Sequence, residues 1–389
     1  MSVSGRKRVR MLKIIEAEVY STKIAVERPH KMAIGTTHHQ ENVILKLYAE
    51  GGSFGFGEAP HMVGHSQLGE TPQTVRVILR DKIIPAILGC NVGDIERLMQ
   101  VMDQAVPGNP RAKGAVVIAA YDLTGKVLGV PVHALLGGQV RDRIPLSWSL
   151  PIVKIDAAVE EGLRMVERGF RILKVKVGRP DPAEDVEMVT ALRQAVGSGI
   201  SLRVDANQAY DTKTALSVIR GIESLNIDYF EQPVHWQDLE GMSEVTCHSS
   251  IPIMADESAK SPTDMTRIVK FRAADYVSIY VIGTGGLLNS KKMAILAETY
   301  RMRAYVGGAL ESIIGASAGL HLAASSSAID LGCEMYGQYM LKDDFGLQQL
   351  EMKEGALLVP TAPGLGFELN ESKLEKYRQD SIERYTWEQ

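Results

Sequence analysis

Two lysines one residue apart, Lys174 and Lys176, sit in the stretch "RILKVKV", which otherwise reads as interior. Side chains alternate along a strand, so both ammonium groups share one face while Leu173, Val175 and Val177 take the other. On an exposed edge strand both would stand in water; on an interior strand an unpaired charge costs several kcal/mol. Burial and a nearby cation both lower a lysine pKa from about 10.4 toward the working range of a general base. Acids end three later apolar runs: Asp205 in "SLRVDAN", Glu231 in "IDYFEQP" and Asp256 in "IPIMADES". One acid at a strand end is ordinary as a helix cap or loop residue. Three at matching places suit a hard divalent cation with oxygen ligands, Mg2+ first and Mn2+ second. The lysines are then tolerated because one is wanted partly neutral, with an anionic substrate completing the charge balance.

Placing these groups together needs a repeating frame. Eight short apolar runs are marked by Trp148, Lys176, Asp205, Glu231, Asp256, Tyr280, Gly307 and Cys333. They follow one another at 28, 29, 26, 25, 24, 27 and 26 residues, each gap long enough for one helix. This is the spacing of a closed parallel β/α barrel, whose chemistry lies where strands end and loops begin. An open doubly wound sheet does not require eight such units, and no G-x-G-x-x-G turn follows the first strand.

Ahead of the barrel, residues 11–59 alternate as antiparallel strands, with "AVERPHKMAIGTTHHQ" expected as a long loop between the first two. From Thr71 the period becomes helical in "TPQTVRVILRDKIIPAILG", "GDIERLMQVMDQAV" and "PRAKGAVVIAAYDLTGKVLG". Strands followed by helices predict an α+β domain over residues 1–140, a barrel over 141–344, and a tail from about 345–389 returning to complete the first domain.

The net charge of −4 suggests neither nucleic acid nor an acidic tail. Cys90, Cys247 and Cys333 are odd in number and far apart, which suits a reducing compartment. The basic start "MSVSGRKRVRMLK" lacks the apolar run of a secretory signal, and no segment has the apolar length of a membrane span. The expectation is a cytoplasmic enzyme with a small anionic substrate and no nucleic-acid or membrane partner.

The order KxK, "DAN", "EQP", "ADES", "GTGG" resembles the enolase superfamily in its muconate-lactonising subgroup. So do "GFGEAP", "GHSQLGETPQT", the "AAYDLTGKVLGVPVHALLGG" run and "PGLGFEL", and together they span nearly the whole chain. The resemblance implies a modified TIM barrel, (β/α)7β, under an α+β capping domain, with Mg2+ held by Asp205, Glu231 and Asp256. It implies that Lys176 removes the proton α to a substrate carboxylate, with Lys174 lowering its pKa and binding a carboxylate oxygen. It also implies a homo-oligomer, dimer or octamer, and a specificity-setting cap segment around His30 to His39.

One departure stands out against that pattern. The subgroup carries a further lysine at the end of the sixth strand, where "ADYVSIYVIGTGG" places Tyr280. A neutral phenol donates a proton more readily than it takes one from carbon. Racemisation by two lysines therefore loses a partner, and a directional reaction gains: elimination of water from a hydroxy acid or a cyclic hydroxy-imino acid such as cis-3-hydroxyproline, with Tyr280 assisting the leaving hydroxyl. Cycloisomerase and epimerase readings stay open, as does an inert metal- or ligand-binding relative. Strand seven, ending "YVGGALES", lacks the histidine a mandelate-racemase pair needs. Asn207, Glu257, Trp148, Glu311 and Gly308 are expected to contact substrate, with Ser149 and Glu334 as further lining. "HMVGH" (His61, His65) imitates a metal half-site in a lid loop but has no partner cluster, and "GTGG" reads as a plain βα turn.

Overall fold

A computed structural model of the chain describes residues 12–61 and 69–387. The chain start and His65, on which two of the expectations above fall, lie outside the described residues. Strands β1 (Ile14–Met32), β2 (Gly35–Ala49) and β3 (Phe54–His61) form an antiparallel sheet. The segment expected as a long loop is strand instead. β1 runs on to Met32, turns over two residues, and pairs Met32 with Gly35, Lys31 with Thr36 and His30 with Thr37. Its polar residues suggested a loop, yet Thr37 and Gln40 are buried. Of the two register shifts in this pairing, one lies between Ile14 and Glu16 and the other between Ala25 and His30, around Pro29, which has no N–H to give a ladder.

The expected first helix is three consecutive helical turns of different pitch. α1 (Pro72–Ile78) starts from a Thr71 capping box, a wide turn spans Leu79–Ile83, and α2 is Ile84–Ile87. In the wide turn the Ile84 N–H reaches back to Leu79 O, a geometry that accommodates Pro85, which lacks a donor of its own. α3 (Ile95–Ala105) and α4 (Pro110–Leu128) follow. Almost all of α4 is buried, because β3 lies directly on it: a Cβ on Gly57 would sit 1.9 Å from Ala115 O, and one on Gly55 2.3 Å from Ala119 O. α5 (Val132–Leu135) leads to β4 (Arg143–Pro145).

The barrel comprises seven parallel strands: β5 (Ser147–Leu150), β6 (Ile172–Lys176), β7 (Ser201–Asp205), β8 (Ile227–Glu231), β9 (Ile253–Ala255), β10 (Tyr276–Ser278) and β11 (Arg303–Tyr305). Between them run α6 (Ile155–Glu167), α7 (Pro182–Val196), α8 (Thr212–Ile222), α9 (Leu239–His248), α10 (Pro262–Phe271) and α11 (Leu287–Thr299). Several start where the sequence supplies a cap: Asp181 accepts from Ala183 N, Asp211 from Thr214 N and Ser261 from Asp264 N. α12 (Ile313–Ala324) follows β11 and is wholly buried.

The eighth unit, "AIDLGCEM", is not a strand but a two-sided bridge. Cys333 pairs with Leu146 on one side and Val306 on the other. Ser147 N donates to Cys333 O at 2.9 Å and Glu334 N to Val306 O at 3.0 Å, so this short extended stretch closes the ring. The tail forms α13 (Gly337–Met340), β12 (Met352–Lys353), β13 (Ala356–Leu358), α14 (Glu371–Tyr377) and β14 (Glu383–Thr386). β13 pairs with β4, and β14 pairs antiparallel with β1, Glu16 opposite Thr386. Among the described residues no helix is long and apolar enough to cross a membrane.

Candidate active site

Period-two alternation turns Lys174 and Lys176 into the barrel, where both are buried. The parallel register sets Lys176 beside Asp205 and Asp205 beside Glu231. Lys174 Nζ lies 3.1 Å from both Glu231 oxygens, 2.6 Å from Glu334 Oε1 and 3.4 Å from Asp205 Oδ2. Lys176 Nζ donates to Asp205 Oδ2 at 2.5 Å and Asn207 Oδ1 at 3.0 Å. These groups line an enclosed cavity of about 30 Å³ together with Asp256, Tyr280, Gly308 and Tyr336. β10 stands four places from β6 in the strand order, so Tyr280 faces the lysines across the ring. His30 and Met32, carried in by the β1–β2 hairpin, also line the cavity. Met32 also borders an open cleft of about 820 Å³.

Three residues expected to touch substrate lie outside this cavity. Trp148 is within β5 rather than after it, and pairs with Leu173 in register, so alternation turns it outward to α6. There its Nε1 donates to Glu161 Oε1 at 2.7 Å and its ring packs on Tyr336. Glu257 stands behind Asn207, accepting from its Nδ2 at 3.2 Å. Glu311 accepts from Ala309 N at the start of α12. Glu334, which the sequence reading ranked only as lining, is the acid nearest Lys174. His30 was expected only as one end of a specificity-setting loop; the structure places it within β1, lining the cavity.

The electrostatics correct one expectation. Burial is the largest influence on Lys176 and does lower it, but the Asp205 carboxylate opposes burial and the net direction is upward. Lys174 behaves alike: burial lowers, Glu231 and Glu334 raise, and it ends well above the usual lysine range. The carboxylates divide. Burial would raise Asp205, yet Lys176 and Lys174 hold it down at about 2. Burial, then the Asp205 charge, pushes Glu231 well above the usual range and Asp256 up to about 6. Across the ring, burial is the main reason the Tyr280 hydroxyl is held above its ordinary value, and burial with the Lys176 charge keeps His30 neutral.

As arranged, no three acidic, histidine or cysteine side chains among the described residues form a set able to hold a metal ion, because Asp205 and Glu231 are turned to the ammonium groups. The donor chemistry nonetheless fits a hard cation. Asp205, Glu231 and Asp256 are oxygen donors on one cavity, and burial with mutual repulsion leaves two of them short of positive charge. A cation engaging Asp205 would also relieve Lys176 of the partner that raises it.

The chain matches two family models: "Enolase C-terminal domain-like" over residues 157–373, and "Mandelate racemase / muconate lactonizing enzyme, N-terminal domain" over residues 14–137. It is similar to a chloromuconate cycloisomerase of Cupriavidus necator, 33% identical over 93% of this chain and 99% of that protein. The crystal structure of a muconate lactonizing enzyme from Pseudomonas fluorescens, complexed with muconolactone, superposes with TM-score 0.92 at 31% identity, covering 95% of this chain and 100% of that one. A dipeptide epimerase from Cytophaga hutchinsonii, complexed with Mg and D-Ala-L-Val, superposes with TM-score 0.89 at 29% identity, covering 96% and 99%.

Proposed function

This chain belongs to the mandelate racemase/muconate lactonizing enzyme family of the enolase superfamily, and from that premise we propose that it is a cycloisomerase interconverting an unsaturated dicarboxylic acid and its lactone. The observation that carries this reading is the asymmetry of the cavity: lysine on one face, and on the other a phenol kept neutral by burial. Inverting a carbon centre needs a base on each face. Ring closure needs one proton delivered on one face, and Lys176 is placed to deliver it. Elimination of water, with cis-3-hydroxyproline as substrate, finds no support among the relatives named above.

In the lactone-opening direction, the Lys176 amine takes the proton from the carbon α to the free carboxylate. That C–H electron pair becomes the new C=C bond as the bond from the β-carbon to the ring oxygen breaks, and the ring oxygen leaves as the second carboxylate. Tyr280 donates a hydrogen bond to that departing oxygen from across the ring. Lys174 binds an oxygen of the first carboxylate, and Asn207 holds Lys176 in line. His30 and Met32 keep bulk water from the lysines. Asp205, Glu231 and Asp256 would hold a Mg2+ ion, or Mn2+ in its place, which would supply positive charge beside the first carboxylate.

The test is turnover of cis,cis-muconate and chloromuconates with Mg2+, followed by loss of the diene absorbance and by NMR of the lactone. In D2O the product should carry deuterium at the α-carbon in one configuration only. Epimerisation of dipeptides or N-succinyl amino acids without any muconate turnover would replace this reading.

A further inference from the structure

Tyr280 reaches the cavity with a cation behind it that comes from the other domain. Arg111 is the second residue of α4, and the start of that helix is fixed by a buried acid: Glu70 accepts from Arg111 N at 2.9 Å and Ala112 N at 3.2 Å. The Arg111 side chain is 1% exposed. One of its guanidinium nitrogens donates to Pro60 O at the end of β3. Its guanidinium carbon lies 5.5 Å from the centre of the Tyr280 ring, and its charge opposes the upward push of burial on the phenol. Burying a guanidinium is costly, and an apolar side chain would fill the space without that cost. Arginine has only donors, so toward the guanidinium the phenol oxygen can only accept, which leaves the phenol hydrogen for a partner other than Arg111.

We propose that Arg111 is a positioning residue that supplies, from the cap helix, the positive charge on the β10 face, fixing the Tyr280 ring and polarising its hydroxyl as donor to the substrate oxygen opposite Lys176. The oxygen it recognises is one that gains negative charge, which restricts the substrate to acids whose second functional group leaves or binds as an anion. This part rests on the cycloisomerase reading; the pairing of Arg111 with Tyr280 does not. Lys174 and Lys176 stand across the cavity; the charged groups acting most strongly on Tyr280 are Arg111 from α4, Glu311 from the turn before α12, and Glu58 from β3. Arg111 alone among these last three favours a more acidic phenol.

Two measurements test it. First, 2,3,5-trifluorotyrosine, a far more acidic phenol, is placed at position 280 and titrated by 19F NMR in otherwise intact protein without substrate. Arg111→Met should raise the midpoint by about one pH unit or more, and Arg111→Lys, which keeps the charge, should restore most of that shift. An unmoved midpoint in Arg111→Met with an unchanged fold overturns the proposal. Second, kcat on cis,cis-muconate with Mg2+ is compared in Arg111→Met, Tyr280→Phe and the double variant. Each single change should cost about 100-fold, and the double no more than the worse single, because Arg111 acts through Tyr280. Losses that multiply would overturn it as a purely structural effect. If the unaltered enzyme turns over no muconate, the cycloisomerase reading fails while the fluorine titration still decides the role of Arg111.

Discussion

Acidification should unfasten the molecule at one buried histidine. His321, in α12, is fully buried; its Nε2 donates to Leu365 O at 3.2 Å, and its Nδ1 lies 3.1 Å from Nδ1 of His133 in α5. The His133 N–H also reaches that Nδ1, at 3.3 Å. One residue thereby joins the helix after β11, the link into the barrel and the C-terminal tail. Burial lowers His321 from the ordinary 6.5 to about 3. The sign follows from proton counting: between those values the unfolded chain binds a proton that the folded chain refuses, so stability is complete above pH ~6.5 and falls as pH drops. From about pH 7.5 to about pH 4.5 the loss from this residue is about 2.7 kcal/mol, at ~1.4 kcal/mol per unit. That is a large share of the 5–15 kcal/mol typical of a folded domain, about 0.05–0.15 kcal/mol per residue. The assay is urea unfolding across that range in the unaltered protein and in His321→Leu. The variant should be less stable at neutral pH by about 1–3 kcal/mol, since His133 and Leu365 O lose a partner, but its stability should depend less on pH by the amount above. Parallel pH profiles for the two proteins would refute the argument.

Three further outcomes are expected. Lys176→Met should reduce α-deuterium exchange and turnover by about 100- to 10,000-fold while leaving Mg2+ binding measurable by calorimetry; exchange at the unaltered rate would remove Lys176 as the base. Mg2+ should raise the thermal midpoint in a concentration-dependent way, and Asp256→Asn should remove that dependence; a midpoint indifferent to Mg2+ in the unaltered protein counts against the cation site. Gly57→Ala should destabilise by about 1–3 kcal/mol or more, because its Cβ would lie 1.9 Å from Ala115 O and force α4 off β3; an unchanged melting temperature would show that α4 is not held there.

Pattern alone carried much of the frame. The near-constant interval between apolar runs fixes a β/α repeat, because strand and helix lengths are local properties. Alternation puts Lys174 and Lys176 on one face, and the repeat puts Asp205, Glu231 and Asp256 at the same end of successive strands. The absence of lysine at Tyr280 was equally plain from one position. Where local signals were weak the reading went astray: polar residues in β1 and β2 passed for a loop because their burial depends on packing that no local pattern encodes, and "AIDLGCEM" passed for a strand because a single bridging residue leaves no length signature.

Only the tertiary structure decided which side chains meet. Trp148 faces outward because its register partner Leu173 does, and Glu334 finds Lys174 because Cys333 closes the ring between β5 and β11. Arg111 and Tyr280 are 169 positions apart in the chain, on different domains. Long polar side chains follow no sequence period, and their partners depend on how two separately folded surfaces come together. So the kinds of groups the site uses were written in the chain's local order, whereas the charge state of each, and which groups face one another, came from packing.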